Sequence, residues 1–176
     1  MTIGTPRTVL VTGGAGFIGS ALCARLQADG HDVVVFDNLS RGRHSFLPSG
    51  TRLVDGDIRD AAACAAAVRE HRPDAVVHLA AMHFIPDCVA NPEATIAINV
   101  EGTRHILDAC RDTTVGGVVF ASSAAVYAVS DDPCVEGRTP LGPVEIYGES
   151  KVAGEALLAA FHRETGVTAT ALRFFN

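Results

Sequence analysis

Thr8-Val-Leu-Val-Thr12 leads without a break into Gly13-Gly-Ala-Gly-Phe-Ile-Gly19. A short β-branched run, then closely spaced glycines, reads as a strand, a tight turn and the start of a helix. Such glycines let the backbone approach a pyrophosphate, whose charge then faces a helix N-terminus. The same alternation recurs outward from this stretch. Asp32-Val-Val-Val-Phe36, Thr51-Arg-Leu-Val54, Ala75-Val-Val-His-Leu79, Gly117-Val-Val-Phe-Ala121 and Thr168-Ala-Thr-Ala-Leu-Arg173 read as further strands. Helices are expected near 17–29, 60–71, 93–112 and 149–165. Near-continuous apolar strands alternating with helices indicate a parallel sheet covered on both faces. Right-handed crossovers wind it into an α/β, doubly wound sheet of about six strands.

Composition bounds the function. At 176 residues, 48% apolar and 19% charged, the chain suits one domain with a buried core. Its net charge of -6 argues against a nucleic-acid partner, which would call for a basic stripe. Cys23, Cys64, Cys88, Cys110 and Cys134 are odd in number, widely spaced and lack a Cys-x-x-Cys pair. They read as reduced thiols of a cytoplasmic protein, not as disulfides or zinc ligands. No run is long enough to span a membrane. Arg7 followed by Val9-Leu10-Val11 could mimic a signal peptide, but the glycines that follow interrupt the apolar run. The seven histidines show no metal spacing. Ala128 to Val144 is the longest irregular stretch, and long loops at strand ends are often functional.

The glycine turn is supported by Asp37, at the end of the second strand. A carboxylate there can accept hydrogen bonds from both hydroxyls of an adenine ribose and repels a 2′-phosphate, which favours NAD over NADP. Arg41 and Arg43 nearby keep NADP open on the residues alone. Asp57-Ile58, after the third strand, can pack and hydrogen-bond at the adenine edge. Leu79-Ala80-Ala81 puts small residues where a dinucleotide would cross the sheet, though tight packing selects them equally well. His83 follows and is given no role beyond lining that site.

Tyr147 and Lys151 sit four residues apart in Glu145-Ile-Tyr-Gly-Glu-Ser-Lys151, with Ser122-Ser123 upstream. A free phenol ionises near pH 10, so a base working at neutral pH needs a fall of about 3 pH units, or about 4 kcal/mol. Residues four apart share a helix face, and a nearby cation favours the phenolate. Ser123 could relay or stabilise the proton. Alone, Tyr-x-x-x-Lys also describes two polar residues on an exposed helix.

Taken in this order, the glycine turn, the strand-end acid, Ser123 and Tyr147-x-x-x-Lys151 resemble the extended short-chain dehydrogenase/reductase family. More narrowly they resemble its nucleotide-sugar epimerases, the UDP-glucose 4-epimerase group. Val11-Thr-Gly-Gly-Ala-Gly-Phe-Ile-Gly-Ser20, Asp37-Asn-Leu-Ser-Arg-Gly42, His78-Leu-Ala-Ala81, Asn99-Val-Glu-Gly-Thr103, Ser122-Ser-Ala-Ala-Val-Tyr127 and Arg173-Phe-Phe-Asn176 carry the likeness across almost the whole chain. It implies a Rossmann domain holding NAD. Gly13, Gly16 and Gly19 would form the turn, with Phe17 and Ile18 touching the pyrophosphate through backbone amides. Asp37, Asn38, Leu39, Ser40, Arg41 and Gly42 would line the adenosine. Asp57, Ile58, Leu79, Ala80, Ala81, Met82, His83, Asn99 and Phe175 would complete the cofactor site. Ser123, Tyr147 and Lys151 would be catalytic and contact cofactor or sugar. Lys151 would hold the nicotinamide ribose, and the positive nicotinamide ring would lower the Tyr147 pKa further. Asn176 would contact substrate.

The branches of this family differ just after Ser123. The 4,6-dehydratases place an Asp-Glu pair there and sugar-acid decarboxylases a Glu nearby, whereas this chain has Ala124 and Ala125. A cysteine used there by 3,5-epimerases is also missing. The resemblance therefore implies 4-epimerisation of a nucleotide sugar, with a UDP-hexose expected, through a 4-keto intermediate. Ala128 departs from the glycine usual after Val-Tyr. Family members continue past Phe-Phe-Asn into a seventh strand and a smaller substrate domain, so residues 1–176 are expected to be a single NAD(P)-binding domain without that part. An exposed sheet edge and a homodimer through the helices near 93–112 and 149–165 are expected with it. Val152, Ala153, Ala156, Leu157 and Ala160 offer a small-residue face for the dimer, or equally for packing on the sheet. A non-catalytic dinucleotide-binding module, a partner-dependent subunit, and a reductase or dehydratase of the same family remain the alternative readings.

Overall fold

The computed structural model describes residues 7–175, so the expected substrate contact at Asn176 lies outside the described residues. Six strands form one sheet: β1 (Thr8–Thr12), β2 (Asp32–Asp37), β3 (Arg52–Asp55), β4 (Ala75–His78), β5 (Gly117–Ser123) and β6 (Thr168–Phe174). Their order is β3-β2-β1-β4-β5-β6, and every adjacent pair is parallel. The chain steps from β1 towards one edge, then crosses back to place β4 on the other side of β1. Ligand crevices open at the carboxyl ends of strands where the order reverses in this way.

Alternating strand side chains divide the core between the two faces. Leu10, Val34, Phe36, Val76, Val118 and Phe120 pack on one side with Ile106, Leu107, Leu158 and Phe161. Val9, Val11, Val33 and Val35 pack on the other with Leu22, Cys23 and Leu26. The helix α1 (Phe17–Ala28) covers the second face. The first lies beneath α2 (Ala61–His71) and the carboxyl-terminal helices. Asp60 caps α2, its carboxylate accepting from the amides of Ala62 and Ala63.

The expected helix near 93–112 is instead a broken series. A short helix, α3 (Ile85–Ala90), precedes it with Pro86 in its first turn. Next come α4 (Pro92–Ile96), one π turn (Ala97–Glu101) and α5 (Gly102–Ala109). The wider π turn carries Asn99, which is buried. The last helix, α6 (Ile146–Thr165), begins earlier than the sequence pattern indicates, so both Tyr147 and Lys151 lie within it. It ends at Gly166, in the left-handed conformation that favours glycine. Of its small-residue face, Leu157 packs against the core while Ala156 is exposed. Among the described residues β6 pairs on one side only, and Leu172 and Phe174 are exposed. The stretch before α6 is irregular but anchored: Tyr127 and Leu141 form an antiparallel bridge. Gly148 seats α6 against this stretch, because a Cβ there would lie 2.4 Å from the Ala125 carbonyl oxygen.

Candidate active site

A cleft of about 820 Å³ opens at the carboxyl ends of the strands. The glycine turn forms its floor. Gly13 has φ +70°, and a Cβ there would sit 2.7 Å from the amide nitrogen of Ala80. Any other residue would therefore push apart the turns after β1 and β4. Gly19 is equally constrained, with a Cβ falling 2.3 Å from the Gly13 carbonyl oxygen. α1 starts with no side chain capping it and no acidic residue in its first turn. Its unpaired N–H groups and positive dipole end are thus available to an anion in the cleft.

Asp37 ends β2 at the rim of this floor. One carboxylate oxygen accepts from the Ala15 amide at 3.0 Å and the other from the Leu39 amide at 2.8 Å. Each oxygen keeps acceptor capacity for a further partner, such as one hydroxyl of a diol. Asn38 continues the wall, donating to Asp57 at 2.9 Å while accepting from Ser40. Arg59 grips the same Asp57, and these bonds hold its carboxyl well below the usual range against the opposing effect of burial. The arrangement fits a dinucleotide, with an anion-ready helix end beside a strand-end carboxylate that is free to accept.

The opposite wall, Leu79 to Asp87, is fixed from behind. His78 is buried between Thr12 (Oγ1 to Nδ1 2.6 Å) and Thr103 (Nε2 to Oγ1 3.0 Å). The Thr103 hydroxyl donates to the Asn99 carbonyl at 2.7 Å, so it accepts from His78 Nε2–H. Thr12 then donates to Nδ1 and accepts from the Ala80 amide at 3.2 Å. Burial, with Lys151 adding repulsion, pushes the His78 pKa down to about 3 and keeps the ring neutral. The Asn99 side chain brackets Met82, accepting from its amide at 2.8 Å and donating to its carbonyl at 2.9 Å. It also donates to Ser150 at 3.0 Å.

Asn99 and Leu39 are the two expected cofactor residues that the structure does not bring to the cleft wall. The Asn99 amide is consumed in holding Met82 and α6. Leu39 adopts φ 56° and meets Asp37 through its backbone amide. The other described candidates, from Gly13 to Phe175, all line the cleft.

Ser123, Tyr147 and Lys151 converge at the far end of the cleft. Lys151 is 3% exposed and donates to the Ala121 carbonyl at 2.9 Å. Its ammonium lies 4.9 Å from the Phe120 ring centroid and 5.7 Å from that of Tyr147. Burial lowers its pKa to about 8. The four-residue spacing predicts that Lys151 pulls the Tyr147 phenol down, but the phenol goes the other way. Burial raises the Tyr147 pKa, and the nearby Ser123 hydroxyl, which favours the phenolate, offsets this only in part. The side chains by themselves leave Tyr147 protonated near neutral pH. Ala124 and Ala125 line the same end and bring no ionisable group.

Several cleft features escape sequence reading. Arg41 and Asp87, which lie 46 residues apart, form an ion pair between the β2 loop and α3. Phe84, Ile85 and Phe174 add apolar wall. Behind the catalytic end, Glu155 accepts from Ser122 and Arg173. Its spacing from Lys151, one helical turn on, is the signal that could have found it. Among the described residues no group of His, Cys, Asp or Glu could hold a metal ion. None of the described helices is long and apolar enough to cross a membrane.

Comparison with known proteins gives a consistent result. The model of the NAD dependent epimerase/dehydratase family matches residues 9–176. The UDP-glucose 4-epimerase of Lactobacillus helveticus is 38% identical over 168 residues, covering 96% of this chain and 51% of that protein. The UDP-glucose 4-epimerase of Brucella ovis, solved in complex with NAD, is 38% identical with a TM-score of 0.90, covering 96% of this chain and 52% of that one. The Thermotoga maritima enzyme, solved with UDP-glucose, is 32% identical with a TM-score of 0.90, covering 94% and 54%. This chain thus spans about half the length of the relatives it matches.

Proposed function

The chain belongs to the NAD dependent epimerase/dehydratase family, and from that membership we propose that it acts in the NAD-dependent 4-epimerisation of a nucleotide sugar. One observation carries the reading. The cleft that offers α1 and Asp37 to a dinucleotide at one end holds Ser123, Tyr147 and Lys151 at the other. NAD would supply the reversible uptake and return of hydride at the sugar carbon. The chain's own residues would do the rest. Phe17 and Ile18 offer backbone amides to the pyrophosphate, and Asp37 accepts from the adenine ribose. Lys151 holds the nicotinamide ribose, while Tyr147 takes and returns the proton of the sugar 4-hydroxyl, directly or through Ser123. Ala124 and Ala125 provide no acid or base for the loss of water, so dehydration is disfavoured relative to epimerisation.

A UDP-hexose is the substrate proposed, in keeping with the relatives named above. The five free cysteines suit a cytoplasmic setting. A homodimer through α4–α5 and α6 is proposed from the groove that Pro92, Ile96 and Ala97 leave open. Light scattering at high concentration checks it, and a monomer there contradicts it.

The test of function pairs two assays on the same protein: titration with NAD, and conversion of UDP-glucose to its 4-epimer. Binding with conversion supports the proposal. Binding without conversion favours a dinucleotide-binding module, a second reading favoured by the protonated state of Tyr147 in its own surroundings. No binding at millimolar NAD contradicts both.

A further inference from the structure

Glu155 lies outside the cleft, yet from α6 it is tied to two strands, β5 and β6, that build the catalytic end. Its side chain is 14% exposed. One carboxylate oxygen accepts from the Ser122 hydroxyl at 2.6 Å and from Arg173 Nε at 2.8 Å. The other accepts from Arg173 Nη2 at 2.7 Å. Burial alone would raise the Glu155 pKa, but the bonds from Arg173 and Ser122 more than offset it and keep the group ionised. The Arg173 guanidinium in turn lies 4.7 Å from the centroid of the Tyr127 ring. Glu155 therefore joins α6 to the last turns of chain in β5 and β6.

This placement has a consequence for the proton-transfer group. Tyr147, Lys151 and Glu155 follow one another at four-residue intervals on α6 and share a helix face. Ser122, the β5 residue that Glu155 holds, is the chain neighbour of Ser123. Ser123 lines the same end of the cleft as Tyr147 and Lys151, where its hydroxyl favours the Tyr147 phenolate. A bidentate carboxylate–guanidinium pair fixes orientation more sharply than a single bond does. A buried pair adds little net stability over apolar packing, so stability alone is a weak reason for one here.

We propose that Glu155 is a positioning residue, which through Ser122 and Arg173 holds the end of β5 so that Ser123 stays beside Tyr147 at the end of the cleft. The proposal rests on the reading of Ser123, Tyr147 and Lys151 as the proton-transfer group.

The test uses a convenience of composition. Tyr127 and Tyr147 are the two tyrosines, and the chain has no tryptophan. In a Tyr127→Phe background, near-ultraviolet absorbance therefore reports ionisation of the Tyr147 phenol alone. Glu155→Gln in that background is expected to raise the Tyr147 pKa by about half a pH unit or more, because the Ser123 hydroxyl that favours the charged form moves away. The sign is diagnostic. Removing a negative charge without moving Ser123 favours the phenolate and shifts the pKa down or leaves it in place. A purely structural brace lowers Tm and leaves the titration unchanged, and either of these results overturns the proposal. Ser122→Ala, which leaves the ion pair intact, is expected to give a smaller upward shift, and it decides the matter if Glu155→Gln does not fold. Ser123→Ala separates the two levels. If it raises the Tyr147 pKa while Glu155→Gln and Ser122→Ala do not, only the role of Glu155 falls. If Ser123→Ala has no effect, the reading of Ser123 in the proton-transfer group falls, and the role of Glu155 with it.

Discussion

Tyr147 is restrained by its own surroundings. Burial raises its pKa, and Lys151, itself desolvated to a pKa of about 8, spends its nearest bond on the Ala121 carbonyl. Sequence spacing places the pair on one helix face but carries no information on desolvation, which depends on what α6 packs against. That explains why the residues were legible while the direction of the phenol shift was not. Lys151 has a folded pKa below its unfolded value, so between pH 8 and pH 10.5 the unfolded chain binds a proton the folded chain has released. Its burial therefore destabilises fully below pH 8, and the penalty fades as pH rises to 10.5. Lys151→Met is expected to gain stability relative to the parent below pH 8. Across that window the gain should shrink by about 1.4 kcal/mol per pH unit, measured by denaturant unfolding. Asp37 was legible for a simpler reason: a strand-end acid after a glycine turn is a matter of sequence order. Asp37→Asn is expected to weaken NAD binding about tenfold or more by calorimetry, the loss of a charged acceptor.

At the level of elements, sequence patterns located the strands to within a residue or two but misjudged their ends. β5 runs on past Ala121 into a residue of the site, Ser123, because polar residues can end a strand whose apolar stretch has finished. The helix series after β4 was the least legible. Pro86 and Pro92 stand at the starts of α3 and α4, where a missing N–H costs nothing, and the single helix expected near 93–112 took no account of them. The π turn sets the Asn99 side chain against Met82 and Ser150, a contact between distant segments that no local pattern encodes. The His78 link between β4, β1 and α5 is likewise tertiary. Its folded pKa of about 3 lies below the unfolded value of 6.5, so the unfolded chain takes up the proton first and stability falls as pH drops below 6.5. Between pH 6.5 and about 4.5, above the carboxylate range, His78→Gln is expected to flatten this slope, which is about 1.4 kcal/mol per pH unit for one proton. The Arg41–Asp87 pair joins the β2 loop to α3 across the cleft. Asp87→Ala is expected to speed NADH release severalfold at low salt and to show no difference at high salt, as stopped-flow fluorescence would record.

At the scale of the molecule, the order β3-β2-β1-β4-β5-β6 brings residues from both halves of the chain to one crevice. The alternation of apolar strands and helices makes that architecture readable in the sequence, because right-handed crossovers leave few other ways to wind such a chain. We propose that NAD bound in this crevice lowers the Tyr147 pKa through its positive ring, a shift the side chains do not achieve alone. The most direct measurement is a spectrophotometric pH titration of the Tyr127→Phe protein with and without saturating NAD. Without NAD, Tyr147 is expected to titrate above the ordinary phenol value, and with NAD bound its pKa is expected to fall by at least one pH unit, or about 1.4 kcal/mol. A titration curve that NAD binds to the protein without moving would contradict it.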